Sequence, residues 1–238
     1  MRDMVSQHEM EMESLPLVEP DLAGTWARHG VYWFGLRTPF SLVFLSWLTA
    51  GSALAPEFHW DRYLLGILAV FFGLVVGAHY IDIAGSRGKY LPYFPAMNAR
   101  RVMVIGIVAS LIGAGIGVYI ALAYNLLFLL FVILGTFNAI FYPLEKPKFL
   151  HTYAGFGISW GFIPVLGAYY LQSSRVDLLS TAFAAFVAIT VVQMHHMAVL
   201  TNENENPREV TQNARYLLKL HRGAAFTLGL LLLISKLV

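Results

Sequence analysis

Long apolar blocks constrain this chain more than any other feature. They fall at about residues 31–54, 62–83, 101–123, 124–142, 150–172, 177–200 and 223–238. A helix of roughly 20 such residues crosses about 30 Å of hydrocarbon. The last block is short and runs to the C-terminus. A membrane barrel would instead alternate polar and apolar residues in segments of about ten, and this sequence does not. Only 13% of the residues are charged and 58% are hydrophobic, against about 25% charged in ordinary soluble domains. The expected fold is therefore all-α: a polytopic transmembrane bundle of about seven spans over residues 31–238. A polar tail of residues 1–30 precedes it.

That tail is acidic (Glu9, Glu11, Glu13, Glu19, Asp21) and lacks the basic start and apolar run of a cleavable signal. It reads as disordered or lying on the surface. The chain has no cysteine, which excludes disulfide frameworks, thiolate metal sites and cysteine nucleophiles.

The basic residues divide unevenly between the two sides that seven spans define. One side holds thirteen: Arg2, Arg28 and Arg37; Arg87, Lys89, Arg100 and Arg101; Lys146 and Lys148; Arg208, Arg215, Lys219 and Arg222. The other holds three: Arg62, Arg175 and Lys236. Positive residues favour the cytoplasmic face. The expected protein is thus an integral, multi-pass membrane protein with a cytoplasmic N-terminus and an outer C-terminus. Small residues recur at packing intervals, Gly106, Gly113 and Gly117 on the third span and Gly157 and Gly161 on the fifth. They predict close helix approach rather than chemistry. The third and fourth spans meet at Tyr124–Asn125 and predict a tight helical hairpin.

Three places near the basic side carry candidate chemistry. The second span ends in Ala78-His79-Tyr80-Ile81-Asp82, ahead of Arg87 and Lys89. Ionisable groups inside a membrane are costly and usually functional, and His79 and Asp82 share a helix face. The sixth span ends in His195-His196, followed by Asn202-Glu203-Asn204-Glu205-Asn206-Pro207-Arg208-Glu209. Glu205 and Glu209 lie four apart and, on a helix, face one way, suited to share a divalent cation. Mg²⁺ takes one or two carboxylates plus substrate phosphates. The third place, Tyr142-Pro143-Leu144-Glu145-Lys146-Pro147-Lys148, offers two lysines on a proline-stiffened loop. Read singly, each has a plainer alternative: Asp82 as an interfacial cap, residues 202–209 as a solvated loop, the lysines as an ordinary positive-side loop. Read together, they predict two acidic helix ends holding Mg²⁺ and a diphosphate over an apolar chamber. Metal and cations would stabilise the departing charge of an allylic diphosphate. The stretch from Val75 to Tyr80 also resembles that from Val191 to His196, a weak hint of an internal repeat.

These residues resemble the UbiA superfamily of intramembrane prenyltransferases, over about residues 31–223. Leu36-Arg37-Thr38-Pro39-Phe40 is similar to the opening of the family's first helix. Ala78 to Asp82 falls at its first motif, Asn-Asp-x-x-Asp-x-x-x-Asp. Phe141 to Phe149, with Gly155 to Gly167, resembles its Tyr-Pro-x-x-Lys stretch and the glycine-rich helix that follows. Asn202 to Leu217 aligns with the second motif, Asn-x-x-Asp-x-x-x-Asp, followed by a basic residue and a leucine. The chain departs from the pattern with Ala78, His79 and Ser86 in the first motif and with Glu205 and Glu209 in place of aspartates in the second. The family usually has about nine helices.

The resemblance implies transfer of a polyprenyl group from its diphosphate to a lipophilic or aromatic acceptor. It implies Mg²⁺ on Asp82, Glu205 and Glu209, with His79 beside them. Arg87, Lys89, Lys146, Lys148 and Arg215, with Asn202 and Tyr142, would contact the substrate. Membrane lipids are expected partners and nucleic acid is not. A second reading, favoured by the altered first motif, is a non-catalytic relative that binds isoprenoid lipid or assembles with partners. A transporter is disfavoured because Asp82 and the terminal Asp177 are the only carboxylates within the expected spans. A di-iron oxygenase wants more histidines at helical spacing than the chain supplies.

Overall fold

The computed structural model describes residues 38–85, 98–144, 147–201 and 206–237, and these form helices with no strand among them. Helices are what hydrocarbon demands, because each segment must satisfy its own backbone polar groups. Five helices are long and apolar enough to cross a membrane. They are α2 (Trp60–Gly85), α3 (Ala99–Ala123), α5 (Tyr153–Ser173), α6 (Leu178–Leu200) and α7 (Arg208–Ile234). Two shorter apolar helices, α1 (Thr38–Ala53) and α4 (Leu129–Phe141, entered by a 3₁₀ turn at Leu126–Phe128), complete the bundle. Large apolar side chains such as Leu64, Leu111, Leu130, Ile133, Ile189 and Leu231 face outward, as a lipid-facing surface requires.

Most boundaries fall where the apolar blocks predict. The last does not: α7 begins at Arg208, well ahead of residue 223. Its first half is amphipathic, burying Thr211, Ala214 and Leu218 while exposing Arg215, Tyr216 and Lys219. Average hydropathy hides such a stretch, although 3.6-residue periodicity contains it.

Polar residues set the ends. Asn98 caps α3 by accepting from the Arg101 amide at 3.0 Å. Asn125 accepts from the Leu127 amide at 2.9 Å and turns α3 into α4, forming the expected hairpin. Asp177 and Ser180 form a reciprocal capping box at the start of α6. The Tyr169 hydroxyl donates to Asp177 and is the main cause holding its carboxyl below the usual range, ahead of the Ser180 amide. Ser174 closes α5 in the left-handed region, φ 54°.

α1 packs against α7, α5, α6 and α2; α2 against α3, α4 and α5; and α6 against α5 and α7. The expected glycines make close approaches, and Gly77, Gly155 and Gly229 do so as well. A Cβ built on Gly106 would lie 2.8 Å from the Ile81 amide nitrogen, and one on Gly157 2.9 Å from Val192 Cγ2. One on Gly117 would meet Val132 Cγ2 at 2.8 Å. These are packing roles, as their spacing predicts.

Far from the motifs, the other end of the bundle is fastened by side chain to backbone bonds. Gln172, 2% exposed, accepts from the His59 amide at 2.7 Å and donates to its carbonyl at 3.3 Å. Arg62 donates to the Gln172 carbonyl at 3.0 Å, and Lys236 to Ala55 at 3.2 Å. Gln172→Ala would strip the His59 amide of its partner, while the His59 carbonyl keeps the Tyr63 amide at 3.0 Å. A loss of about 1–3 kcal/mol is expected, read as a lowered thermal midpoint in detergent.

Candidate functional site

The motif-bearing helix ends meet around one tryptophan. Trp160 lies in α5, where the helix widens to a π turn over Ile158–Phe162 directly ahead of Pro164. Proline lacks the N–H that would bond to the carbonyl four residues back, and its ring presses on that carbonyl. Here that carbonyl belongs to Trp160, so a widened turn at this point relieves the conflict. π turns of this kind often occur at functional sites. A second π segment, Phe71–Ala78, lies in α2 just before His79.

The His79 ring stacks on the Trp160 indole, with centroids 5.7 Å apart and planes at 11°. Phe40 and Phe44 of α1 meet the indole edge-on at 5.3 and 5.6 Å. Tyr142, at the end of α4, does so at 6.0 Å, and Phe156 lies one turn earlier on α5 at 6.3 Å. His195 of α6 packs on Phe156 at 4.5 Å. The result is an aromatic box drawn from α1, α2, α4, α5 and α6. His79 and His195, the corresponding positions of the suspected repeat, each rest on a member of the α5 pair Phe156 and Trp160.

His79 is 2% exposed, and its Nδ1 lies 2.9 Å from the Val75 carbonyl oxygen. A carbonyl only accepts, so Nδ1 carries the proton, and in the neutral ring Nε2 carries the lone pair. Asp82 follows three residues later, half-buried near the end of α2. Gly85 closes that helix beside Leu144 and Pro143 of the Tyr-Pro stretch. Glu209 occupies the first turn of α7, which starts after Pro207, and is exposed. Lys148 and Arg215 are also exposed. Tyr142 is half-buried in the box. Arg87, Lys89, Lys146, Asn202 and Glu205 lie outside the described residues.

The structure thus brings His79, Tyr142 and His195 together, with Asp82 one turn beyond His79. Glu209 and Arg215 sit on α7, which packs on α1 and α6. Among the described residues no group of three or more His, Asp or Glu side chains is arranged to hold a metal ion. Hard carboxylate oxygens on Asp82 and Glu209 are nonetheless the donor type Mg²⁺ takes.

The sequence singles out none of Phe44, Phe156 and Trp160, and marks Phe40 only as part of the first-helix opening. Aromatics make up 14% of the chain, so none stands out by type. The i, i+4 pairs 40/44 and 156/160, each placing two rings on one helix face, are the signal that was present. The Trp160–Pro164 spacing additionally marks the strained turn.

Beside the box, α1 to α5 leave an apolar cavity of about 120 Å³, open in part to the surface. It reaches from Tyr63 and Leu171 toward Asn138 and Ser159. Leu74 and Ala139 belong both to its wall and to the core that holds Trp160. Among the described residues, four buried side-chain polar atoms have no hydrogen-bond partner: Trp47 Nε1, Ser159 Oγ, Trp160 Nε1 and Arg222 Nε. Compared with known proteins, the chain matches no protein-family model, no curated protein and no solved structure.

Proposed function

We propose that the chain is a divergent UbiA-like membrane protein that binds a polyprenyl diphosphate and transfers its prenyl group to a lipophilic or aromatic acceptor. In this reading α1 and α4 also cross the bilayer, giving seven spans, and the basic, motif-bearing end is cytoplasmic. The observation that carries it is the aromatic box: residues from the first-helix opening, the first motif and the Tyr-Pro stretch share one buried cluster, with Asp82 beside it.

The chemistry follows from that composition. Breaking the carbon–oxygen bond of an allylic diphosphate leaves positive charge on the prenyl carbon and negative charge on the diphosphate. The faces of Trp160, Phe40 and Tyr142 carry π density that attracts a nearby cation. Their burial keeps water from the reactive carbon. Lys148 and Arg215, with Arg87, Lys89 and Lys146, supply positive charge for the diphosphate. Asp82, Glu205 and Glu209 would hold Mg²⁺, which when bound neutralises the diphosphate oxygens and eases their departure.

One observation favours the second reading, a lipid-binding relative without catalysis. Where the family has its first aspartate, His79 is built into the aromatic stack rather than presented at its rim.

Binding of geranylgeranyl diphosphate to the detergent-purified protein, with and without Mg²⁺, separates the two. The transferase reading expects Mg²⁺-dependent binding, weakened at least about tenfold by Asp82→Ala and by Glu205→Ala, since even outer-shell partners of a metal contribute 10–100-fold. Binding indifferent to Mg²⁺ and to both substitutions removes the catalytic assignment.

A further inference from the structure

The first half of α7 gathers its positive charge on one flank. Arg208, Arg215, Lys219 and Arg222 recur at intervals of seven, four and three residues, which at 3.6 residues per turn aligns them along the helix. The first three are exposed. Arg222 is half-buried, four residues after buried Leu218 and three before buried Ala225, so it stands on the face that packs into the bundle. Its Nε is enclosed and has no hydrogen-bond partner. The two terminal nitrogens are not among the enclosed atoms, so a partner reaches the guanidinium there. Among the described residues Arg222 has no ion pair.

The neighbouring helices have no counter-charge to give. α7 packs on α1 and α6, and neither contains an aspartate or glutamate. The one carboxylate on α7, Glu209, lies thirteen residues from Arg222, about 20 Å along the axis and far around the helix. Depth makes this matter. Beyond Arg222 the chain has no charged residue until Lys236. Those fourteen residues rise about 21 Å as a helix, less than the ~30 Å of hydrocarbon. Arg222 therefore stands at the edge of the apolar layer, where an unpaired charge is costly and the long side chain reaches toward the head groups. The side of α7 turned away from the bundle exposes Tyr216, Leu217 and Leu220. Exposed apolar side chains next to a basic flank are how a helix lies against an anionic lipid surface.

We propose that Arg222 and Lys219 hold the phosphate of an anionic membrane phospholipid where α7 passes from polar to apolar. The planar guanidinium offers its terminal N–H groups to the phosphate oxygens, and the Lys219 ammonium, one turn back, adds charge. The site needs neither Mg²⁺ nor a prenyl diphosphate. Arg215, assigned above to the diphosphate, lies on the same flank, so that ligand is titrated in parallel.

The probes are dioleoyl phosphatidylglycerol and dioleoyl phosphatidylcholine, which share their acyl chains and phosphate and differ in net charge. Each is titrated against the detergent-purified, lipid-stripped full chain by native mass spectrometry and by thermal midpoint, without Mg²⁺. Phosphatidylglycerol is expected to bind more tightly and to raise the midpoint. Lys219→Gln should weaken it about fivefold, the worth of one cation at an anionic surface. That residue is exposed, so the loss does not come from unfolding. Arg222→Gln should weaken it about tenfold or more, the worth of hydrogen bonds to a charged group. The ligand-free midpoint should hold or rise, since no protein group loses a partner. Arg175→Gln, exposed at the other end of the bundle, should leave phosphatidylglycerol binding unchanged, and Arg222→Gln should leave geranylgeranyl diphosphate binding unchanged. Equal binding of the two lipids, or phosphatidylglycerol binding indifferent to Lys219→Gln or Arg222→Gln, overturns the proposal. So does an equal loss in Arg175→Gln, which would reduce the effect to net charge. A lowered ligand-free midpoint in Arg222→Gln overturns it by revealing a partner within the protein. Loss of geranylgeranyl diphosphate binding rather than lipid binding in that variant overturns it by assigning the guanidinium to the diphosphate.

Discussion

Gly113→Leu is expected to prevent α2 and α3 from docking, so that the purified protein elutes as aggregate. The reason is that backbone meets backbone at this point. A Cβ on residue 113 would lie 2.6 Å from the Ala69 carbonyl oxygen, 2.6 Å from the Gly73 amide nitrogen and 2.8 Å from Gly73 Cα. Side chains can turn away from an intruding atom, but a helix backbone can yield only by moving the whole helix. The clash therefore exceeds the ~1–3 kcal/mol of ordinary overpacking. It also forfeits the packing that holds helices together in lipid, where apolar burial offers no net drive. Gly113→Ala should already lower the midpoint. The same helix supplies a control: a Cβ on Gly115 meets nothing within 4 Å. Gly115→Ala should therefore be neutral or gain up to about 1 kcal/mol from helix propensity. Equal behaviour of the two alanine variants on size-exclusion and thermal melting would refute the α2–α3 contact.

The second large effect is Trp160→Ala, expected to lower stability by about 3–5 kcal/mol, the usual range for removing a buried large aromatic. The indole is the common neighbour of His79, Phe40, Phe44, Tyr142 and Phe156, so its loss leaves five rings from four helices facing a void. Trp160→Phe separates packing from polarity. It keeps a ring in the box and deletes an Nε1 that has no partner, and removing an unmet donor recovers part of what the smaller ring forfeits. The phenylalanine variant should therefore retain most of the midpoint and also geranylgeranyl diphosphate binding, while the alanine variant loses both. An alanine variant as stable as the parent would mean that the box is not a cooperative unit.

Much of this arrangement is legible along the chain. Apolar blocks mark where helices run, because hydrocarbon leaves a backbone no other way to pair its polar groups. Glycines at positions 106, 113, 117, 157 and 161 mark the faces that approach closely, because only hydrogen fits there. Helix parity brings the ends carrying Asp82, Tyr142 and His195 to one end of the bundle. The start of α7 escapes such reading because the charged residues between Arg208 and Arg222 dilute an apolar stripe that is nonetheless buried.

What the sequence determined by itself is a bundle of apolar helices, the residues at their ends, and the short spacings that place two groups on one helical face. These are local properties, set by 3.6 residues per turn and the thickness of hydrocarbon. Only the tertiary structure decided that His79 stacks on Trp160, that Phe40 of α1 closes the same box, and that Ser159 is buried with its hydroxyl unmet. Those meetings depend on how several helices are rotated and offset against one another, which close packing of all of them settles together.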